Sequence, residues 1–238
     1  MKIAYVETNN MIGWTAKFTN TTMLIATQFK PSRYNMQQLS RFDEIWIDNG
    51  AYEAGIDNKI NFTKAIRKQL KLASKLSATH KVFIILPDVL LNHHETATAS
   101  YKYIDRIKEN IINNTQLVGV IQGTILSEIT SICRMYKDNN IKYIGIPKKM
   151  RESPNYTLFR HAILQEYEPS HIHYLGFVEN DLNDKLLYEV HSIDTKYPIK
   201  LALQDMIIQF DDVSYFDKVA EKHYVEYHVE RFMKMVSK

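Results

Sequence analysis

Apolar runs of strand length alternate with longer stretches of helical period along almost the whole chain. This alternation restricts the fold more than any other feature. The candidate strands are KIAYVE, TMLIAT, EIWIDN, KVFIILPD, QLVGVIQG, KYIGIPKK, IHYLGFV and VHSIDT, with LALQD open as one more. Several are continuous rather than alternating runs, as expected for strands covered on both faces. Between them lie helix candidates: FTKAIRKQLKLASKLS, with Ile66, Leu70 and Leu72 near one face, then TATASYKYIDRIKENII, LSEITSICRMYKDNN, TLFRHAILQEYE and DKLLYEV. The longest, SYFDKVAEKHYVEYHVERFMKMV, closes the chain. Strand–helix alternation implies a parallel sheet with right-handed crossovers. The expected fold is α/β, a (β/α)8 TIM-type barrel, with a doubly wound open sheet as the alternative.

A length of 238 residues and a hydrophobic fraction of 45% supply the core for one domain over residues 1–238. No linker, low-complexity segment or internal repeat interrupts it. With 7 Gly and 6 Pro, the composition argues against a disordered chain or an array of tight turns. The single cysteine, Cys133, excludes a disulfide framework within the chain and a cysteine-rich zinc site, and a reducing, cytoplasmic location is the expectation. No early apolar run has the length of a signal peptide or membrane span, so no membrane partner is expected. A net charge of +3 permits contact with a polyanion without demanding it.

The middle strands end in polar or glycine-containing chemistry: Asp48 in IDNGAY, Asp88 in LPD, Gln122-Gly123 in IQG, Gly145 in IGIPKK, Leu175-Gly176 in YLGF and Asp194 in SIDT. In a parallel barrel these ends converge on one face, where active sites are built. Taken singly, each aspartate reads more readily as a helix cap or turn residue, Asp88 as the cap of a helix entering through VLLNHHE. Taken together, carboxylates, an amide and close-approach glycines around one mouth suit an enzyme acting on a flat polar ligand.

At these residues the chain resembles the tRNA-guanine transglycosylase family, including its short phage relatives that place 7-deazaguanines in DNA. The family's D-S-G-G-[FY]-Q stands here as Asp48-Asn49-Gly50-Ala51-Tyr52-Glu53, and its base-reading aspartate as Asp88. V-x-Q-G appears as Val120 to Gly123, an I-G-G-like strand as Tyr143 to Ile146, and a Y-L-M-G-like strand as Tyr174 to Phe177. The nucleophilic aspartate fits Asp194. The departures are D-N-G-A for D-S-G-G, Glu53 for glutamine, a shorter chain, and no cysteines for the family's zinc-binding subdomain. These departures favour double-stranded DNA as acceptor, with tRNA as runner-up.

The resemblance implies a pentosyltransferase, a guanine transglycosylase that exchanges guanine for a free 7-deazaguanine base with no cofactor and no metal. Asp194 would attack C1′ and Asp48 would act as general acid and base. Tyr52 would stack on the purine, Asp88 would accept from guanine N1–H and the 2-amino group, and Gln122 with backbone near Gly123 and Gly145 would address O6. Leu175 and Gly176 would complete the base site. Lys148, Lys149 and Arg151, with Lys196 beside Asp194, are the candidate phosphate contacts. An N-glycoside hydrolase on the same carboxylates and a catalytically silent nucleic-acid-binding barrel are the rival readings.

His93-His94-Glu95 and His171-x-His173 invite a metal reading, but no third ligand is placed by sequence. His191 is close enough in sequence to orient Asp194 or else packs a strand. Cys133 reads as core. The aromatic C-terminal segment (Tyr215, Phe216, Tyr224, Tyr227, Phe232) reads as core packing or the seam of a homodimer. No Walker-type or G-x-G-x-x-G segment is present.

Overall fold

Eight strands close into a parallel barrel in chain order, each paired with its chain neighbours and the last with the first. The computed structural model describes residues 1–54, 60–111, 114–184, 187–211 and 214–237. The strands are β1 (Lys2–Tyr5), β2 (Thr21–Ile25), β3 (Glu44–Asp48), β4 (Lys81–Ile85), β5 (Thr115–Val120), β6 (Tyr143–Pro147), β7 (His171–Leu175) and β8 (Ser192–Thr195). The helices are α1 (Arg33–Leu39), α2 (Ala51–Ala54), α3 (Phe62–Leu76), α4 (His93–Lys108), α5 (Leu126–Asp138), α6 (Lys148–Arg151), α7 (Tyr156–Tyr167), α8 (Tyr197–Asp205) and α9 (Lys222–Val236). The open sheet is therefore excluded.

Four expectations are corrected. LALQD is the second half of α8, because Pro198 at the helix start fixes a helical φ and Ile199, Ala202 and Leu203 recur at helical spacing toward the core. The last helix begins at Lys222, and Ser214–Asp217 ahead of it is a separate 3-10 turn. In DKLLYEV, Lys185 and Leu186 lie outside the described residues, and Leu187–Glu189 forms a 3-10 turn. Ile112 of the second helix candidate also lies outside them; α4 itself starts earlier than expected, at His93, because Asn92 caps it through Glu95 N–H at 3.0 Å.

Residues two apart on each strand share a face. Trp46 of β3, Phe83 of β4 and His173 of β7 meet inside the barrel, with ring centroids 4.2 Å (Trp46–Phe83) and 4.1 Å (Trp46–His173) apart. Such pairs stabilise by about 0.5–1.5 kcal/mol each beyond the area they bury. The intervening residues Ile45, Ile47, Val82 and Ile84 are fully buried on the other face. On α3 the core side is Ile66, Gln69, Leu72, Ala73 and Leu76, with Leu70 only half-buried. The buried Gln69 amide donates to the carbonyls of Ile47 and Ile85, both at 2.9 Å, and so pins α3 across β3 and β4.

Candidate active site

The carboxyl ends of the strands surround a cavity of about 180 Å³. Asp48, Glu53, Asp88 and Asp194 line it, with Lys196 among them, Val6, Met23, Ile25, Leu90, Leu175 and Phe177 as apolar wall, and Tyr52, Lys148, Lys149 and Lys200 also lining it. The residues expected at strand ends are thus partly brought together and partly placed behind the cavity wall.

Asp48 is the last residue of β3. The turn after it is held by Gly50 at φ +86°, where a Cβ would lie 2.3 Å from Thr27 Oγ1. No side chain fits there. The Asp48 carboxylate accepts from the Asn49 N–H at 2.6 Å, and one edge of it remains open toward the cavity. Burial first, then the charges of Glu53, Asp88 and Asp194, raise its pKa well above the usual carboxylate range. A proton is therefore held on Asp48 at pH values where an exposed aspartate has lost it.

Asp88 is not a helix cap, since Asn92 fills that role. Its Oδ1 accepts from Asn49 Nδ2 at 3.1 Å and its Oδ2 from Gln122 Nε2 at 2.8 Å. Burial raises its pKa against these two hydrogen bonds. Asn49, which sequence reasoning passed over, is fully buried and also donates to Leu86 O and accepts from Ala51 N–H. It ties the β3 loop to the β4 loop. Gln122 stands behind Asp88, its carbonyl taken by Leu91 N–H at 3.0 Å, and it does not line the cavity.

Gly123 and Gly145 are also outside the lining. Gly123 makes room for Ile129 and Glu128, since a Cβ would lie 2.9 Å from Ile129 Cδ1. Gly145 is in the middle of β6 rather than at its end, and the space beside it is filled by Leu175, 2.8 Å from an added Cβ. These two glycines admit protein side chains, and it is Leu175 that reaches the cavity.

Asp194 accepts at Oδ1 from His173 Nε2 at 3.0 Å and from the Gly176 N–H at 3.1 Å. His173 Nδ1 in turn lies 2.7 Å from Ser192 Oγ, which lies 2.6 Å from His171 Nε2. Burial, and then His173 and His191, push the His171 pKa down to about 3, so its ring is neutral and carries one proton. With one proton on each ring, His173 Nε2–H donates to the Asp194 carboxylate, the Ser192 hydroxyl to His173 Nδ1, and His171 Nε2–H to Ser192. The residue that orients Asp194 is thus His173. His191 instead accepts from Ile172 N–H at 3.1 Å and stacks on His171. Among the described residues no group of three or more His, Cys, Asp or Glu side chains is placed so that it could hold a metal ion.

Lys196 is paired with Glu53 at 2.6 Å and its ammonium lies 4.9 Å from the Phe216 ring centroid, so most of its charge is spent inside the mouth. The other Glu53 oxygen, Oε2, is buried with no hydrogen-bond partner among the described residues. Tyr52 is 47% exposed at the rim. Lys148 and Lys149 share Glu152 at 3.6 and 2.9 Å. Arg151 turns inward: its guanidinium binds Asp181 through Nε and Nη2 and donates to the carbonyls of Ile146, Leu175 and Gly176. It braces the β6 and β7 ends that carry the cavity wall. Tyr215, Phe216 and Phe232 of the C-terminal aromatics are core, Tyr224 is half-buried and Tyr227 is exposed; Cys133 is core as expected. No helix among the described residues is long and apolar enough to cross a membrane.

The fold and mouth define the class: a (β/α)8 barrel whose strand ends gather carboxylates around a small cavity. No protein-family model matches the chain, and no curated protein matches it. Among solved structures it is similar to a glycerol uptake operon antiterminator-related protein from Thermotoga maritima, with 11% identity, 82% of this chain, 93% of that chain and a TM-score of 0.44. A psychrophilic glycoside hydrolase family 10 endo-β-1,4-xylanase matches at 9% identity over 82% of this chain and 85% of its own, TM-score 0.44. Morphinone reductase in complex with tetrahydroNAD matches at 13% identity over 82% of this chain and 54% of its own, TM-score 0.39. These similarities are of barrel fold alone.

Proposed function

We propose that the protein is a base-exchange glycosyltransferase that replaces guanine in DNA with a free 7-deazaguanine base. The observation that carries this reading is the pairing, in one cavity, of a pinned carboxylate with a proton-holding one. Asp194 has one oxygen fixed by His173 and Gly176, and Asp48 lies close enough for the Asp194 charge to raise its pKa. Substitution at a glycosidic carbon needs a nucleophile and an acid of that kind.

In the proposed reaction an Asp194 oxygen forms a bond to C1′ while the bond from C1′ to the guanine nitrogen breaks. The departing base takes the proton of Asp48. Asp48 then removes a proton from the incoming base, whose nitrogen attacks C1′ and releases Asp194. Two displacements give retention. Asp88 keeps a free lone pair on each oxygen beyond its bonds to Asn49 and Gln122, which suits the adjacent N1–H and 2-amino donors of guanine and has no counterpart for adenine. Tyr52, Leu175 and the backbone at Gly176 would flank the ring, and Gln122, with Gly123 and Gly145 behind the wall, would act by holding this surface in shape. Lys148 and Lys149 would meet phosphates next to an extruded base; the inward turn of Arg151 and the Glu53 pairing of Lys196 argue for a bracing role at both.

The test is incorporation of radiolabelled guanine into double-stranded DNA and, in parallel, bulk tRNA, with Asp194→Ala as control. Label entering DNA, and lost in the variant, is the expected result. Label entering tRNA alone would keep the chemistry and replace the acceptor. Release of guanine without incorporation would replace the transferase by an N-glycoside hydrolase, and no reaction with guanine or 7-deazaguanines would leave a binding protein.

A further inference from the structure

Four carboxylates and four lysines line the cavity, and of the lysines Lys196 is paired with Glu53 and Lys148 and Lys149 share Glu152, so the mouth offers little net positive charge to a polyanionic ligand. Beyond the contacts of Lys148 and Lys149 at the rim, attraction of a nucleic acid needs cations elsewhere on the surface. Helix α3 has them. It carries Lys64, Arg67, Lys68, Lys71 and Lys75 and no acidic residue, more positive charge than the net +3 of the whole chain.

At 3.6 residues per turn these five positions fall within an arc of about 100°, opposite the core side of Ile66, Gln69 and Ala73. Lys64, Arg67, Lys71 and Lys75 are exposed, and none forms an ion pair among the described residues. The usual explanation for a charged helix face is pairing along the helix, as Lys148 and Lys222 do with glutamates four residues on. α3 has no such partners.

The strip also begins in the right place. A helix that follows a barrel strand starts at the carboxyl-end face, and Lys68 Nζ donates to the Thr27 carbonyl at 3.0 Å, in the segment that packs against Gly50 of the Asp48 turn. From Lys64 to Lys75 the strip runs about 16 Å down the outer wall, the rise of roughly five base pairs. Its other exposed residues are Thr63 and Ser74, with no aromatic platform of the kind that holds single strands. Its apolar side is buried in the barrel, so nothing is left to insert into a lipid surface.

We infer that the outer face of α3 is a second contact surface, which takes the phosphates of a duplex flanking the base in the cavity. This rests on the reading of the acceptor as nucleic acid.

The experiment uses the full chain with Lys64, Arg67, Lys71 and Lys75 all changed to Gln, leaving Lys68 on its carbonyl. Binding to a fluorescent 20-base-pair DNA duplex is measured by anisotropy from 50 to 200 mM NaCl. The variant is expected to bind about tenfold or more weakly at the low-salt end, with a log Kd against log salt slope reduced by about 3 to 4. Swapping each lysine for arginine and Arg67 for lysine should restore both. An unchanged slope and Kd overturn the proposal, as does strip-dependent binding to phosphatidylserine vesicles with none to duplex. Base exchange by the native protein together with an unaltered variant Kd would sink the strip alone. Strip-dependent duplex binding without exchange would sink the catalytic reading and leave the strip standing.

Discussion

His173 and Asp194, on adjacent strands, are joined by a hydrogen bond of 3.0 Å from Nε2 to Oδ1 inside the barrel. The His173 ring is fixed on its face by Trp46 and at its other nitrogen by Ser192. One oxygen of Asp194 is thereby held in place, and the other is left for chemistry. His173→Phe keeps the ring stack and loses the bond. Guanine exchange should fall about 100-fold in kcat, the scale of a misplaced reacting group, with the KM for free base little changed. His173→Gln, whose amide can still donate, should recover part of the rate. A His173→Phe enzyme with native kcat would remove His173 from the positioning of Asp194.

The raised pKa of Asp48 gives a pH dependence of defined sign. Burial and the charges of Glu53, Asp88 and Asp194 favour its protonated form. In the proposed reaction protonated Asp48 is the form that releases guanine, so kcat/KM for exchange should decline as pH rises through that raised value. Glu53→Gln removes one of the charges and frees Lys196 beside the site. Both changes lower the Asp48 pKa, and the declining limb should move to lower pH. A limb that stays in place when Glu53 is neutralised would assign it to another group.

The barrel was legible because its strands are covered on both faces, which leaves continuous apolar runs such as Val82 to Leu86 separated by helical periods. Asp48, Asp88 and Asp194 were legible as cavity carboxylates because strand ends converge in this fold, whereas Glu53, on the helix after the Asp48 turn, was read only as a departure from a glutamine. What sequence could not supply was direction. Gln122 follows β5 as expected, yet its amide turns to Asp88 and Leu91 rather than to the cavity. Arg151 follows the Lys148-Lys149 pair, yet it points inward because three strand-end carbonyls and Asp181 need donors. The alternation of β7 put His171 and His173 on one side, a signal first weighed as metal ligation. The signal that would have found the series is the matching alternation of Ser192 and Asp194 on β8.

In the proposed reaction Gln122 acts on base recognition through Asp88, to which its amide donates at 2.8 Å. With Gln122→Ala the Asp88 Oδ2 loses its donor, and one neutral donor to a carboxylate is worth about 1.5–3 kcal/mol. The KM for guanine should rise about tenfold or more, while trapped Asp194–nucleic acid adduct forms at a similar rate once base is saturating. If adduct formation collapses and KM does not move, Gln122 serves the barrel rather than the base.

The Asp48 turn depends on Gly50. At φ +86° any other residue is strained, by about 1–2 kcal/mol for the left-handed region, and the alanine methyl would also meet Thr27 Oγ1. Gly50→Ala should lower the thermal midpoint. Adding Thr27→Ala should recover the part owed to the collision, and the part owed to φ should persist. Full recovery in the double variant would mean the backbone conformation costs nothing.

Glu7, just beyond β1, provides a stability test independent of any activity. Its carboxyl is buried and accepts from the N–H groups of Gly13 and Thr15, both at 2.8 Å, so it anchors the loop that follows β1. Burial outweighs those bonds and raises its pKa from 4.5 to about 7. A folded-state pKa above the unfolded one means the native state binds the proton more tightly. The associated stability is complete below pH 4.5, is lost as pH climbs to about 7 and stays lost above it. Glu7→Gln cannot titrate and carries a pH-independent cost for turning an amide N–H₂ toward one of the two donors. The denaturation free energy of the native protein minus that of the variant should therefore fall by about 3 kcal/mol between pH 4.5 and 8. A difference that stays constant across this range would place the Glu7 carboxyl in contact with solvent. A difference that rises would show that the Gly13 and Thr15 bonds outweigh burial.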